Sequence, residues 1–366
     1  MIINVLFEHD QNGSPHGCSH IRLLRPLGHP SLQDKIRLIA TTQLSDEKAD
    51  VVIVERWWKP GLTEAEAQQL VRMIKERGST LIYTLDDNLL DVGLDEEGSP
   101  IPEEILRATY HFIREANGVI VSTPALKNRL QDLNPNIRVI PNALDERLFL
   151  DSSDQDVDRD VDRDANRNVR ADTGSKGSPI VLGYMGTLTH AVDLAMVVEP
   201  LRKILRQFDE RVRLEIIGVS QDSQKLQALF GDHVRVLDTG DAVHYEQFPR
   251  WFRRAARWDI GLAPLTDRHF NRYKSDIKFL DYGVHGIPAI FSNVGPYPAS
   301  VIHEQNGILV DNEPDAWFDG VSRLIDDVPF RQKLAANARE YVRTNRLLKT
   351  CAVEWHDSIR SLCIQT

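Results

Sequence analysis

Short apolar runs alternate with helix-periodic segments along nearly all of this 366-residue chain, and no other feature narrows the fold as much. A run of four to eight apolar residues reads as a strand buried on both faces. Such strands belong to parallel sheets, whose neighbours need crossovers long enough for a helix. In the first half the runs are Ile2–Phe7, Asp50–Glu55, Thr80–Asp87 and Gly118–Ser122, closed by Arg138–Asn142. Helical patterns fall between them at Thr63–Arg77, Pro102–Asn117 and Thr123–Leu130. Thr63 with Glu66 makes a capping box, Gly78 stops that helix, and Pro124 suits a first turn. In the second half Ile180–Met185, Val212–Gly218, Val234–Leu237, Asp259–Leu265 and Ala289–Ser292 read as strands. Asp193–Phe208 and Tyr245–Ala256 read as helices there, and the chain is helical from Pro314 onward.

The expected class is α/β, with two doubly wound Rossmann-like domains. The alternation breaks once, at Asp151–Ser178, an Asp/Arg-rich stretch nearly free of apolar residues. It cannot bury enough surface to fold alone and reads as a linker. Residues 1–150 and 179–350 are therefore the expected domains, with the C-terminal helix at 351–366 crossing back onto the first. Asp-Val-Asp occurs twice in the linker, but a DxD metal motif needs a strand end in a folded site. The Gly and Glu spacing of a calcium loop is also missing.

A net charge of -10 argues against nucleic acid as the main partner. Residues 1–150 hold 16 basic and 22 acidic side chains, so that half lacks a bulk basic surface for a membrane. Cys18, Cys351 and Cys363 match no zinc pattern and suit a reducing compartment. No apolar run reaches transmembrane length, and MIINVLFEHD is too short and too acidic for a signal peptide. A cytoplasmic protein is expected, with peripheral contact at the inner membrane face left open.

Chemistry concentrates at strand ends. The loop HDQNGSPHGCSHIR after the first strand faces a ligand cleft or is a surface loop. Trp57 and Trp58, at the exit of the Asp50–Glu55 strand, read as core or interface ahead of a ligand platform. Asp86 and Asp87 end an apolar strand side by side; like charges so close need a cation or a ligand hydroxyl between them, unless they form only a solvated turn. In the second half Gly186-Thr187-Leu188-Thr189-His190 is a tight strand-to-helix turn of small residues, where backbone amides can approach a phosphate. Asp259–Val310 then runs strand, polar loop, helix, strand, loop, with Ser275 the expected helix cap.

The stretches YMGTLTHAVDL, GLAPLTDRHFNRYKSDIKFLDYGVHGIPAI and NGILV, with VIVSTPALKNRL and VIPNALD in the first half, resemble family 4 of the glycosyltransferases. The likeness is to members that build bacterial polysaccharides. It implies the GT-B fold, two Rossmann-like domains facing across a cleft. The implied reaction moves a sugar from a nucleotide-diphosphate sugar to a glycan or lipid-linked acceptor, with retention, no metal and no cofactor. The family's two glutamates lie eight positions apart; Asp281 stands at the second, the ribose position, and Tyr273 at the first. No Lys or Arg lies between Gly186 and Pro200, so Lys274 and Lys278 are the expected diphosphate cations. Asp86 stands where the family has a histidine. The implied catalytic set is Asp86, Lys274 and Lys278. Donor binding falls to Gly186, Thr187, Thr189, His190, Asn271, Asp281 and Tyr297, and the acceptor side to Ser19, Arg22 and Asp87.

Each role has a plainer rival: solvated helix-end charges for the lysines, a partner of Lys278 for Asp281, packing for Tyr297, and an ordinary turn for Asn306-Gly307. A catalytically inactive GT-B-like module that binds glycan or protein is the alternative function. A phosphorylase would need a pyridoxal lysine, and no motif identifies one.

Overall fold

In the computed structural model, which describes residues 1–91, 101–150, 178–219, 223–240 and 244–364, period-two side-chain alternation settles the layers of the first sheet. Ile3, Val5, Ile53, Ile82 and Ile120 point to one face, where the C-terminal helix Leu348–Cys363 lays Trp355, Ile359 and Leu362 on them. Leu6, Val52, Val54, Leu81, Tyr83, Val119 and Val121 point to the other, under the helices Glu64–Glu76 and Glu103–Glu115. Both faces are covered, as an all-parallel sheet requires. Its strands are β1 (Ile2–Leu6), β2 (Arg37–Thr41), β3 (Val51–Glu55), β4 (Thr80–Leu85), β5 (Gly118–Val121) and β6 (Ile137–Val139), in the order β2-β1-β3-β4-β5-β6.

The second sheet contains β7 (Ile180–Gly186), β8 (Val212–Gly218), β9 (Val234–Leu237), β10 (Ile260–Ala263), β11 (Ala289–Ser292) and β12 (Ile308–Val310), in the order β12-β11-β10-β7-β8-β9. Leu182, Tyr184, Leu214, Ile216, Ile260 and Leu262 form a core with Leu201, Ile204, Trp317 and Leu324 from covering helices. On β7, a Cβ at Gly183 would lie 1.7 Å from Trp258, so only glycine admits that indole.

Two compact units result. Unit 1 comprises Met1–Asp145, Arg268–Ser275 and Arg346–Thr366; unit 2 comprises Glu146–Asp267 and Asp276–Asn345. The segment Arg268–Ser275 lies among second-half residues in sequence yet is tied into unit 1. His269 Nε2 lies 2.9 Å from Asp91 Oδ2, Thr123 Oγ1 donates to Tyr273 O at 3.2 Å, and Asn142 Nδ2 donates to Ser275 Oγ at 2.9 Å. The stretch read as a linker, 151–178, lies outside the described residues except for Ser178. No helix among the described residues is long and apolar enough to cross a membrane.

Several elements differ from the sequence reading. The helix expected over Asp193–Phe208 is two, Ala191–Met196 and Val198–Phe208. Pro200 cannot donate to Met196 O, and its ring crowds that carbonyl, so the ladder breaks there. Ser275 does not cap the next helix: its hydroxyl receives Asn142, and Ile277–Val284 starts after Asp276. Asp276 makes no cap bond with its side chain either, and accepts from Ser300 Oγ at 2.5 Å. The strand β2 is half-exposed at the sheet edge and lacks the continuous apolar run that marks its neighbours. The helix read over Tyr245–Ala256 is shorter, Phe248–Ala255, and Ser223–Phe230 adds one.

Candidate functional site

Where a parallel sheet reverses its strand order, the loops leave toward opposite faces and a crevice opens beyond the carboxyl ends of the strands. The reversal lies between β1 and β3 in unit 1 and between β7 and β10 in unit 2. Both places gather charged and polar side chains.

In unit 1, Glu8 follows β1, Glu55 ends β3 with Arg56 after it, and Asp86 and Asp87 follow β4. Arg56 Nη1 donates to Asp86 Oδ1 at 2.8 Å and reaches Asp87 Oδ2 at 3.4 Å; its Nε lies 3.0 Å from Glu8 Oε2. Paired carboxylates at a strand end need a cation between them, and Arg56 is that cation. It escaped the sequence reading, which weighed the two tryptophans beside it. A charged pair at the exit of an apolar strand, the mark that singled out Asp86 and Asp87, was also present at Glu55-Arg56. Arg56 and Trp58 have φ of 44° and 52°, left-handed values that cost side-chain-bearing residues about 1–3 kcal/mol each. Tyr83 Oη donates to Arg56 O at 2.8 Å, Arg56 N to Thr84 O at 3.0 Å, and Trp58 Nε1 to Thr42 O at 2.9 Å, which holds the turn.

Glu55 is 1 % exposed, and burial pushes its carboxyl up to about 8 against the pull of the Ser19 hydroxyl and the Glu8 amide. At neutral pH it mostly keeps its proton and adds little charge to a cluster that already sets three carboxylates beside one guanidinium. Burial, with Asp86 and Glu55 nearby, also pushes the Cys18 thiol well up, which disfavours its thiolate. Ser19 and Arg22, read as acceptor-side residues, are both buried. Ser19 Oγ donates to Glu8 O at 2.9 Å. Arg22 Nη1 donates to Ile140 O at 2.7 Å and Asn142 Oδ1 at 2.8 Å, with the guanidinium 5.0 Å from the Trp355 ring; burial lowers its pKa to about 10. Ser19 braces the loop after β1 and Arg22 the segment after β6, while Asp86 and Asp87 keep part of their side chains open to solvent.

In unit 2, Gly186 ends β7. Val219 N donates to Gly186 O at 2.8 Å, and a Cβ on Gly218 (φ +74°) would fall 1.9 Å from that oxygen. The two strand exits touch backbone to backbone, which glycine at 218 permits. Thr187 and Thr189 are exposed, with their Oγ1 atoms 2.8 Å apart. His190 Nδ1 lies 2.7 Å from Asp193 Oδ2, and Asp193 Oδ1 accepts Thr266 N at 2.8 Å and Thr266 Oγ1 at 2.9 Å. Burial would raise the Asp193 carboxyl, but His190 and Thr266 outweigh it and hold the group below its usual range. His190 is thus anchored, through Asp193, to the loop after β10. Neither Asp193 nor Thr266 was singled out from sequence.

Lys278, in the first turn of Ile277–Val284, is 8 % exposed, with Nζ 5.0 Å from the Tyr184 ring centroid, within cation–π range. Asp281 keeps some surface open to solvent, yet burial pushes its carboxyl up to about 7 against the pull of Lys278. Tyr297 is buried, its ring 5.0 Å from that of Phe291, the packing arrangement. Asn306 braces its turn: Ile302 N donates to its Oδ1 at 2.7 Å. Asn271 and Lys274 belong to unit 1; Asn271 is buried, and Lys274 Nζ lies 4.8 Å from the Phe270 ring. Unit 2 therefore brings together Gly186, Thr187, Thr189, His190, Lys278 and Asp281, and unit 1 brings together Asp86 and Asp87.

Residues 179–327 match the family model Glycosyl transferases group 1. A D-inositol 3-phosphate glycosyltransferase of Xylanimonas cellulosilytica is 28% identical over 170 residues, 44% of this chain and 37% of that protein. The match thus spans little more than a third of that relative's length. Among solved structures, HepE of Anabaena in complex with UDP and glucose has a TM-score of 0.65 at 15% identity, over 98% of this chain and 99% of that one. The sucrose-phosphate synthase of Thermosynechococcus elongatus has 0.60 at 17%, over 87% of this chain and 75% of that one. Likeness at such identities shows the fold: two Rossmann-like units of the GT-B class.

Proposed function

We propose that this chain is a glycosyltransferase that takes a sugar from a nucleotide-diphosphate sugar held on unit 2 and passes it to a glycan or lipid-linked acceptor held on unit 1. The observation that carries this reading is the buried Lys278 beside Asp281, next to the switch point of a sheet whose residues match Glycosyl transferases group 1. As the donor bond breaks, negative charge develops on the departing nucleoside diphosphate. A desolvated ammonium fixed in advance stabilises that charge more than one in water. The amides after Gly186 and the hydroxyls of Thr187 and Thr189 suit the phosphates, and Asp281 suits the ribose hydroxyls. Lys274 belongs to unit 1, so on unit 2 the charge falls to Lys278 and those amides, and Asp86 is the unit 1 group assigned to the reacting end of the acceptor. The neighbour's complex with UDP and glucose makes UDP the first nucleotide to try.

We assign the charge neutralisation to lysine, with no metal or cofactor, and read the transfer as retaining. Activity that survives EDTA, with an anomeric product matching the donor by NMR, tests both points. Purified protein given a panel of nucleotide sugars is expected to transfer or hydrolyse at least one. Lys278→Ala is expected to lower turnover by about 100-fold or more; unchanged rates in that variant remove its role. Tyr273, at the position of the family's first acidic residue, is packed within unit 1, which favours the non-catalytic binding module as the second reading. Absence of UDP binding and of turnover across the panel would select it.

A further inference from the structure

Unit 1 has a recess of about 590 Å³ beside its charge cluster, within the roughly 300–1,000 Å³ range of small-molecule sites. Its walls are the loops after β1, β2 and β3 and one face of the helix Glu64–Glu76. The turn Arg56-Trp57-Trp58 joins the two places: Arg56 faces Glu8, Asp86 and Asp87, while Trp58 lines the recess. Trp58 is fixed at both ends, Nε1 donating to Thr42 O at 2.9 Å and its carbonyl accepting His9 N at 3.2 Å. Lys59 Nζ lies 2.6 Å from Glu66 Oε1 and 5.8 Å from the Trp58 ring centroid. Glu66 is held in turn by the Thr63 capping box.

Three exposed carboxamides, Gln11, Gln43 and Gln69, also line the recess, and none has a hydrogen-bond partner among the described residues. These unpartnered amides and the lysine–carboxylate pair match the adjacent donor–acceptor hydroxyls of a sugar ring, and Met73, with the small part of Trp58 left exposed, gives its C–H face apolar contact. The pair is neutral and Asp10 adds a negative charge, so nothing favours a phosphate or sulfate. We propose that this recess is a second sugar subsite, which holds the neutral sugar adjoining the one that reacts at the Asp86–Arg56 cluster. The acceptor is then an oligosaccharide or glycolipid with at least two sugars. This rests on the reading of unit 1 as the acceptor's unit.

The test is saturation-transfer NMR on the full chain with maltose, cellobiose, lactose, mannobiose and diacetylchitobiose at millimolar concentration. The double variant Gln43→Ala/Gln69→Ala, both exposed, and Lys59→Ala are compared, with melting temperatures to confirm folding. At least one disaccharide is expected to bind, at least tenfold more weakly in the double variant, with UDP affinity changed less than twofold. If none of the five binds, or the variants bind them as the wild type does, the subsite is overturned. Sugar binding without UDP binding leaves the subsite standing and sinks the transferase reading, so the two failures are separable.

Discussion

Arg56 shows how much one side chain can organise. It sets one guanidinium among Glu8, Asp86 and Asp87 at 2.8–3.4 Å, a reach that a lysine ammonium, lacking the planar fork, does not reproduce. Glu55, directly before it, carries the opposite signature. Its carboxyl is raised by burial from an ordinary 4.5 to about 8, so between those values the folded state holds a proton that the unfolded chain releases. Stability tied to this group is fully present below about pH 4.5 and falls as pH climbs through about 8. Glu55→Gln keeps an acceptor for the Glu8 amide, now at 2.9 Å from Oε2, and cannot ionise. Urea midpoints at pH 5, 6.5 and 8 are expected to shift progressively in favour of the variant; a difference flat with pH would contradict the protonated carboxyl.

At the scale of elements, the capping box at Thr63 formed as the residues dictated, with Glu66 N donating to Thr63 Oγ1 at 3.3 Å and Thr63 N to Glu66 Oε2 at 3.0 Å. The break before Val198 came from Pro200, a residue visible in the sequence and passed over because the apolar period ran through it. The clearest constraint on β7 was not visible at all. Gly183 has no turn to make; it is there because the Trp258 ring lies against the strand. Gly183→Ala is expected to cost about 3 kcal/mol, at the upper end of overpacking, read from denaturant midpoints. Gly17→Ala, where an added Cβ meets nothing within 4 Å, is the control and is expected to stay within about 0.5 kcal/mol.

At the scale of the molecule, the last helix belongs to the first unit. Leu348, Trp355, Ile359 and Leu362 are buried with residues of β1, β3, β4 and β5. Four large side chains at about 1.5–3 kcal/mol each compare with the whole stability of a domain, about 5–15 kcal/mol. A chain ending at Asn345 is expected to lose the cooperative unfolding of unit 1 and to bind a hydrophobic dye. A wild-type melting profile in that chain would refute the helix's role in holding unit 1.

What the residues by themselves determined is local: strand and helix periods, the Thr63 cap, two parallel sheets, and the carboxylates ending β4. Side-chain direction along a strand or helix depends on near neighbours, so a linear reading captures it. Tertiary structure decided which charges meet. Arg56 and Asp86 are 30 positions apart in sequence and touch because β3 and β4 run side by side with Glu55 opposite Thr84. Ser19 and Arg22 turned inward, Arg268–Ser275 joined unit 1, and Lys278 came to rest over Tyr184 for the same reason. Coulombic and packing forces act across space, and the distance between two residues in a folded chain is set by the register of the whole sheet.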